Sequence, residues 1–328
     1  MKLVVVLIRV ALTLGALGVA ALAIAGLFGS MVPELDLINH FQILLLPAAI
    51  SGLVVLSVVL RGSMRSAALV FGIAGLAASA SIVAPEALAA RRNLTPAPSE
   101  GTVRLMTHNL FGMNYEMERV VAAIMAEDPD IIVLQEYFGE QATDLHPLLL
   151  AKYPFFARCR GGKRANLGLY SRLPFSQLDE DACPNDAYGA KRTAHILAEF
   201  TLDGDKSFSV LTSHMDWPYP VARQQAELAQ LAGVVGRVEG PVILAGDFNS
   251  TPWSYTLRQF VSATGLERQT LGLFTFPMRF YYFGAWRDTL PFLPLDHVLT
   301  RGLNVHSVET GGRTGSDHLP VVVEFSVE

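Results

Sequence analysis

Three apolar stretches, residues 10–28, 41–60 and 67–84, restrict the possible folds of this chain more than any other feature. Each is close to the ~20 residues that a helix needs to cross the hydrocarbon core of a bilayer. Backbone in lipid has to satisfy its own hydrogen bonds, so the stretches are expected to be three transmembrane α-helices forming a multi-pass anchor in the bilayer. A signal peptide is the competing reading for the first, because Lys2 and Arg9 precede it and Ala21 and Ala23 are small. Its apolar run exceeds the ~7 to 15 residues of such a segment, which favours an uncleaved helix.

Basic residues near the helix ends set the orientation. Lys2 and Arg9 keep the N-terminus in the cytoplasm, the next connection carries Glu34 and Asp36 without Lys or Arg, and the following one carries Arg61 and Arg65. Three crossings then leave the C-terminal part extracytoplasmic, on the periplasmic side of a bacterial-type cell, although Arg91 and Arg92 pull the other way. The expected organisation is an anchor over residues 1–92, an extended linker over 93–101 with Pro96, Pro98 and Ser99, and a folded domain over 102–328.

Composition supports that division. Residues 1–90 are almost uncharged, and they carry the excess behind a mean hydropathy of +0.35. Six of the 25 Lys and Arg and four of the 30 acids precede Gly101, so the remainder has a net charge of about −7. Such a balance argues against a broad phosphate-tracking surface for nucleic acid and leaves room for a local basic groove. Cys159 and Cys183 are the only cysteines. Two thiols do not make a zinc cage, and they pair only if the fold brings them together in an oxidising compartment.

Within the C-terminal part, successive apolar runs end in polar residues. Residues 103–110 read as a strand ending on His108-Asn109 with a helix at 116–126, and 130–134 as a strand ending on Gln135-Glu136 with a helix at 140–151. A turn-rich region opens at Tyr153, and a short strand follows at 167–172. Strands at 193–200 and 207–212 form a hairpin through Asp203-Gly204-Asp205, the second running into His214. A helix at 221–235 leads to the apolar run 242–245, which stops on Gly246-Asp247-Phe248-Asn249. Gly246 is expected to let the backbone pass close to whatever Asp247 and Asn249 hold. Two more strands are expected at 295–299, carrying Asp296-His297, and at 319–325, just after Asp317-His318. Hairpin strands interleaved with single helices suggest two packed sheets with helices outside.

Taken singly, each polar residue has a bland account. Asn109 and Asn249 suit turns, Glu136 and Asp317 suit caps, Asp296 suits a hairpin, and a lone His214 is more often packed than catalytic. Jointly they need another explanation, because one strand after another brings an acid, an amide or an imidazole to its end. Carboxylates bind metal or take protons and amides donate to phosphate oxygens, a combination suited to phosphoester chemistry.

The motifs HNLFG at 108–112, LQE at 134–136, YSRLP at 170–174, TSHM at 212–215, GDFNSTP at 246–252, LDHVL at 295–299 and SDHLPV at 316–321 stand in the order found in one superfamily. The chain resembles the endonuclease/exonuclease/phosphatase superfamily over roughly residues 103–328. Members include DNase I, AP endonucleases, neutral sphingomyelinases and inositol polyphosphate 5-phosphatases. The resemblance implies an α/β fold, a four-layer αββα sandwich of the DNase I-like type, and a phosphoesterase dependent on Mg2+ or Mn2+. By position, Glu136 would be the principal metal ligand with Asn109 and Asp317 nearby. Asp247 would orient or deprotonate the attacking water and Asn249 would hold the phosphate. His318, supported by Asp296, would act as acid/base or charge stabiliser, and His214 would be the second histidine. AP endonucleases carry an acid where Phe111 stands, so a second metal at that end is not implied.

The substrate class left open is nucleic acid or a phospholipid or inositol-type head group. The aromatic run over 274–283, with Trp286, is either a core-packed or interdomain loop or a lid or membrane-facing wedge in which Tyr281 and Tyr282 meet substrate. Arg158, Arg160, Lys163, Arg164, Lys191 and Arg192 form either a rim for an anionic substrate or a solvated face. A catalytically inactive, anchored binding or scaffold protein is the alternative to an enzyme, and the intact acids and histidines favour the enzyme.

Overall fold

The computed structural model describes residues 2–98, 101–161, 164–179, 183, 193–204 and 206–327. Lys163, Lys191, Arg192 and the hairpin residue Asp205 lie outside the described residues. The chain divides into two compact units, one formed by Met1–Arg92 with Thr251–Gln259 and the other by Asn93–Ser250 with Phe260–Glu328.

In the first unit, α1 (Lys2–Gly26), a 3-10 turn (Pro33–Leu35), α2 (Asp36–Asn39), α3 (Gln42–Val59) and α4 (Gly62–Ala89) follow one another. Helices α1, α3 and α4 are long and apolar enough to cross a membrane. Two of them run past their apolar stretches, through Lys2 and Arg9 in α1 and through Arg65 and Glu86 in α4. Once a turn is nucleated, propagation adds one hydrogen bond per residue whether or not the residue is apolar. Small residues set the packing: a Cβ on Gly75 would lie 2.5 Å from Ala20 Cα, and one on Gly52 3.3 Å from Ala16 Cβ. Gly15 and Gly18 face open space and take no part in this packing.

The second unit runs β1 (Thr102–Asn109), α5 (Met117–Glu127), β2 (Ile131–Gln135), α6 (Gly139–Leu150), β3 (Phe155–Cys159), β4 (Leu167–Ser171), β5 (Phe175–Leu178), β6 (His195–Thr201), β7 (Ser207–His214), α7 (Val221–Val235) and β8 (Val242–Asp247). Then come α8 (Tyr255–Thr264), whose first residues belong to the first unit, β9 (Glu267–Arg268), β10 (Arg279–Tyr282), β11 (Ala285–Asp288), β12 (Asp296–Arg301), β13 (Leu303–Thr310) and β14 (Val321–Val327). Two six-stranded sheets form, in the orders β13-β14-β1-β2-β4-β3 and β5-β6-β7-β8-β12-β9.

Strand alternation builds the layers. In β1 and β2 the side chains of Val103, Leu105, Ile131 and Val133 enter the inter-sheet core, where they meet Ile196, Val210, Ile243 and Val298 of the other sheet. The intervening Met106, Ile132 and Leu134 point to the opposite face and pack against Val120, Ile124 and Leu145 of α5 and α6. Helix α7 joins the parallel strands β7 and β8 and buries Leu228, Leu231 and Val235 at helical spacing. The result is the four-layer αββα sandwich.

Several elements, α8, β5 and β9 among them, are not expected from the sequence. The turn-rich region opening at Tyr153 contains β3, an edge strand paired with β4. The aromatic run contains the hairpin β10-β11, and β13, unrecognised in the sequence, pairs with β14 across a bulge. Neither β3 nor β13 alternates cleanly between buried and exposed positions, so neither carries the period-two signature of a strand.

Candidate active site

Chain direction explains why the polar strand ends meet. Strands β1 and β2 are parallel, as are β7 and β8, so Asn109 and Glu136 follow one pair of C-terminal ends and His214 and Asp247 end the other. Strands β12 and β14 run antiparallel to their neighbours, which brings their N-terminal starts to the same edge. Asp296 is paired in register with Asp247, and Asp317-His318 lies just ahead of β14.

The side chains form one network. Asp247 Oδ2 accepts from Asn109 Nδ2 at 2.9 Å, lies 3.4 Å from His214 Nε2 and 3.8 Å from His318 Nε2, while Oδ1 accepts the Asn249 N–H at 2.8 Å. Asn249 Nδ2 sits 3.2 Å from His214 Nε2 and donates to the Met215 carbonyl at 3.0 Å. His318 Nδ1 faces Asp296 Oδ2 at 2.7 Å. Ser316 Oγ donates to the Asn109 carbonyl at 2.7 Å and accepts the His318 N–H at 3.0 Å, tying the β14 loop to the end of β1. Glu136 accepts the Gly112 N–H at 2.7 Å and lies 3.4 Å from Asn109 Nδ2.

Asn109, His214, Asp247, Asn249, Asp296 and His318 are each 4% exposed or less, so their charges interact with little screening. Burial opposes a charge on His318, but the carboxylates of Asp296, Asp247 and Asp317 outweigh it and push the imidazole up to about 10. Asp247 shows the reverse balance: burial raises its pKa, His318 and His214 more than offset this, and the carboxyl is held well below the usual range. Burial pushes Asp317 up to about 6, with the negative charges of Glu136 and Asp247 adding to the effect. Three residues with non-glycine side chains take positive φ here, Phe111 at 62°, Glu136 at 52° and Asn249 at 48°. Left-handed backbone of this kind costs energy and persists where surrounding contacts over-determine it.

Two sets of groups are candidates to hold a metal ion. Asp247, Asp296 and His318 each offer a ligand atom within 4.8 Å of the others. His318 Nδ1 is already committed to Asp296, and all three are buried, which leaves this set poorly placed to take up an ion. Asn109, Glu136 and Asp317 offer only oxygen atoms for coordination, and the two carboxylates are half-buried at the open side of the network. Burial first, and then the Glu136 charge, raises the Asp317 pKa, and a hard divalent cation held there would favour the ionised form.

The substrate-facing candidates divide. Phe280, Tyr281, Tyr282 and Phe283 project into solvent, Tyr281 at 62% and Phe283 at 86% exposure, whereas Thr275 and Met278 at the start of the run are buried, so core packing holds only for its first half. The ring contacts of Tyr281 and Tyr282 are with Trp286, Phe280 and Phe283 and not with the catalytic candidates. Phe276 instead lies 4.8 Å from the His318 ring, with Trp217 edge-on to it at 6.3 Å. Of the basic rim, Arg158 covers the Tyr137 ring at 4.6 Å and Arg164 pairs with Asp216 at 2.6 Å, so both are committed to packing. Ser316 and Phe276 were the residues least visible beforehand, since a serine and a phenylalanine carry no chemical signature without their neighbours. Away from the site, Cys159 and Cys183 form a disulfide.

Residues 106–318 match the profile described as Endonuclease/Exonuclease/phosphatase family. A UPF0294 protein of Vibrio cholerae is 31% identical over 135 residues, 40% of this chain and 44% of that protein, so the chain spans less than half the length of the curated relatives it matches. Among solved structures, an endonuclease/exonuclease/phosphatase from Beutenbergia cavernae is similar with a TM-score of 0.52 at 22% identity, covering 70% of this chain and 72% of that one. Sphingomyelinase C from Streptomyces griseocarneus is similar with a TM-score of 0.50 at 18% identity over 69% and 99%. D. rerio TDP2 complexed with single strand DNA product is similar with a TM-score of 0.51 at 15% identity over 70% and 100%. With the profile covering well over half of the chain and the strand ends converging as described, the chain belongs to the Endonuclease/Exonuclease/phosphatase family.

Proposed function

We propose that the protein is a membrane-anchored phosphodiesterase dependent on Mg2+ or Mn2+, acting on the extracytoplasmic side upon phosphodiesters carried by the bilayer. The observation that carries this reading is the meeting at one sheet edge of the Asp247 carboxylate, 3.8 Å from His318 Nε2 and 2.9 Å from Asn109 Nδ2, with Glu136, whose Oε1 lies 3.4 Å from the same amide.

Glu136, Asp317 and the Asn109 amide oxygen would hold the metal ion, which when bound supplies Lewis-acid polarisation of the phosphoryl group. Asp247, kept ionised, accepts a hydrogen bond from the attacking water and aims it in line with the scissile bond. Its low basicity suits orientation better than proton removal. His318 is charged at neutral pH, so it serves as donor to the phosphoryl and leaving oxygens and not as a base. Asp296 fixes the His318 ring through Nδ1 and leaves Nε2 turned towards the site. Asn249 and His214 present nitrogen atoms beside Asp247, where a further phosphate oxygen would lie.

Three apolar helices with outward-facing side chains such as Val58 and Val70 support anchoring in a bilayer. The Cys159–Cys183 disulfide supports an oxidising compartment, in agreement with the orientation expected from Lys2 and Arg9. The solvent-facing aromatic hairpin supports a bilayer-borne substrate, since such rings partition into the head-group region. The likeness to a sphingomyelinase C is consistent with that choice, and the likeness to a TDP2 bound to DNA makes nucleic acid the rival to exclude.

Full-length protein in detergent or vesicles with Mg2+ or Mn2+ is to be assayed on phospholipid, inositol phosphate, DNA and RNA, with Asp247→Asn as the blank. Lipid head-group release dependent on Asp247 is expected. Hydrolysis of DNA or RNA alone would replace the substrate class, and failure on every phosphoester would favour the scaffold alternative. Replacing Tyr281, Tyr282 and Phe283 with Ser is expected to weaken turnover of vesicle-borne substrate and spare a soluble chromogenic one. Equal losses on both would remove the hairpin from substrate engagement.

A further inference from the structure

The aromatic hairpin β10-β11 is rooted on both loops that present the metal-ligand carboxylates, all within the second unit. Its first residue, Arg279, donates from Nη1 to the Gly315 carbonyl at 2.6 Å and lies 3.4 Å from Glu116 Oε1. The preceding Met278 N–H donates to the Asp317 carbonyl at 2.7 Å, and the Thr289 N–H beyond β11 donates to the Met278 carbonyl at 2.9 Å. Across the hairpin, Trp286 meets the Phe111 ring edge-to-face at 5.2 Å, and the Arg279 guanidinium lies over the Trp286 ring at 5.7 Å. Phe111 directly precedes Gly112, whose N–H holds Glu136 at 2.7 Å. One guanidinium and one indole thus touch the chain beside each carboxylate.

Glu136 follows β2 and Asp317 precedes β14, and these strands are separated in the sheet by β1. The distance between the two carboxylates is therefore set by loops and not by a backbone ladder. Within the first loop, Asn109 Oδ1 and Gln141 Nε2 fix the Phe111 peptide at 2.9 and 2.7 Å. Joining it to the second loop are Asn114, which donates to the Thr314 carbonyl at 3.2 Å, Ser316 on the Asn109 carbonyl, and the hairpin root. Of these three, the hairpin alone extends into solvent with exposed aromatic rings. A divalent ion needs oxygens from both loops at coordination distance at once, and side chains that orient ligands contribute to its affinity. Given Glu136 and Asp317 as the metal ligands of the proposed function, we propose that Arg279, with Trp286, is a positioning residue that holds the two loops in register for the ion. The same contacts link the ion to the solvent-facing hairpin, and such linkage is reciprocal: an ion that binds better when the hairpin root is ordered also orders it.

The test compares full-length wild type, Arg279→Ala, Trp286→Ala, Trp286→Phe, Glu136→Gln and the exposed control Arg237→Ala in detergent micelles. Mn2+ binding is measured by calorimetry, and amide hydrogen exchange over 275–292 is followed by mass spectrometry with and without Mn2+. Arg279→Ala and Trp286→Ala are each expected to raise the Kd for Mn2+ about ten-fold with circular dichroism unchanged. Trp286→Phe keeps a ring for Phe111 to meet, and it and Arg237→Ala are expected to stay within about three-fold of wild type. In the wild type, Mn2+ is expected to slow exchange at the Met278 and Thr289 amides at least about three-fold, a readout that requires no variant to fold. A Kd within about two-fold of wild type in both Ala variants, or hairpin exchange indifferent to Mn2+, overturns the proposal. Mn2+ binding unaltered by Glu136→Gln overturns the metal assignment and the coupling with it. A wild type silent on every phosphoester, with Mn2+ binding weakened in the Ala variants as expected, overturns the phosphoesterase reading and leaves the coupling standing.

Discussion

Adding one methyl group at Gly246 is expected to damage both fold and site. Gly246 lies in β8 between Ser213 of β7 and His297 of β12. A Cβ there would sit 2.1 Å from the Ser213 carbonyl oxygen, with the carbonyl carbon and the amide nitrogen of the same residue at 3.3 and 3.4 Å. A carbon–oxygen contact settles at ~3.3 Å, so β7 and β8 have to part by about 1 Å. Every one of these atoms is backbone, and no rotamer change relieves the clash. Overpacking of this kind costs ~1–3 kcal/mol, and weakened ladder hydrogen bonds add ~1 kcal/mol, giving about 3 kcal/mol for Gly246→Ala. For a domain of this size that lowers Tm by about 6–12 °C. Ser213 and Gly246 directly precede His214 and Asp247, so the same movement opens the 3.4 Å approach of those side chains, and a ~100-fold fall in kcat is expected. The control is Gly233→Ala in α7, where a new Cβ meets nothing within 4 Å; helix propensity there predicts stabilisation of ~0.5–1 kcal/mol. Thermal unfolding and phosphodiester turnover of both variants decide the matter. A Gly246→Ala protein that melts within about 2 °C of wild type and keeps kcat within about three-fold would refute the reasoning.

Reduction, or replacement of Cys159 and Cys183 by Ala, opens a loop of sequence separation 24, which by the chain-entropy account costs about 3.5 kcal/mol. Denaturant unfolding with and without reductant measures it, and free thiols in protein isolated from membranes would contradict both the pairing and the proposed side of the membrane. Asp247→Asn and His318→Gln are each expected to lower kcat by ~10²–10⁴-fold with the fold retained, as judged by circular dichroism; a loss under about ten-fold would exclude the residue from the reaction. Glu136→Gln should raise the Mn2+ concentration needed for half-maximal activity and weaken Mn2+ binding by calorimetry by ~10-fold or more, whereas an unaltered titration would move the metal elsewhere. Burial lowers the pKa of His297 to about 3, and its Nε2–H donates to Ser250 O at 2.8 Å. The unfolded chain takes this proton at ~6.5 and the folded one refuses it until about 3, so the contribution is complete above pH 6.5 and is lost as pH falls through that window, by about 2 kcal/mol at pH 5. Urea titrations at pH 7.5 and 5 should show that loss, and His297→Gln should flatten it.

Local pattern alone was enough to read α7, bounded as expected at Val221 and Val235, and the buried strands β1, β2 and β8 with their polar termini. Period, length and end chemistry are properties of neighbouring residues, so the sequence carries them without knowledge of the fold. It also carried the membership of Asn109, Glu136, His214, Asp247, Asn249, Asp296, Asp317 and His318 in one candidate constellation, because each of them stands at or beside the end of an apolar run. What remained hidden depends on partners far along the chain. Gly246 was read as making room for a ligand, and the structure shows it making room for the backbone of β7. Cys159 and Cys183 were indifferent until β3 existed to carry the first of them. The aromatic run could not reveal whether its rings face the core or solvent, because two-sided exposure is decided by what else covers the hairpin. Asp36 looked like a charge in a connecting loop, and only tertiary structure placed its carboxylate on the start of a helix more than two hundred residues away. The division follows from the range of the forces involved: secondary structure and strand-end chemistry are written in local periodicity, whereas close approach, pairing and capping across the chain exist only once distant segments have been brought together.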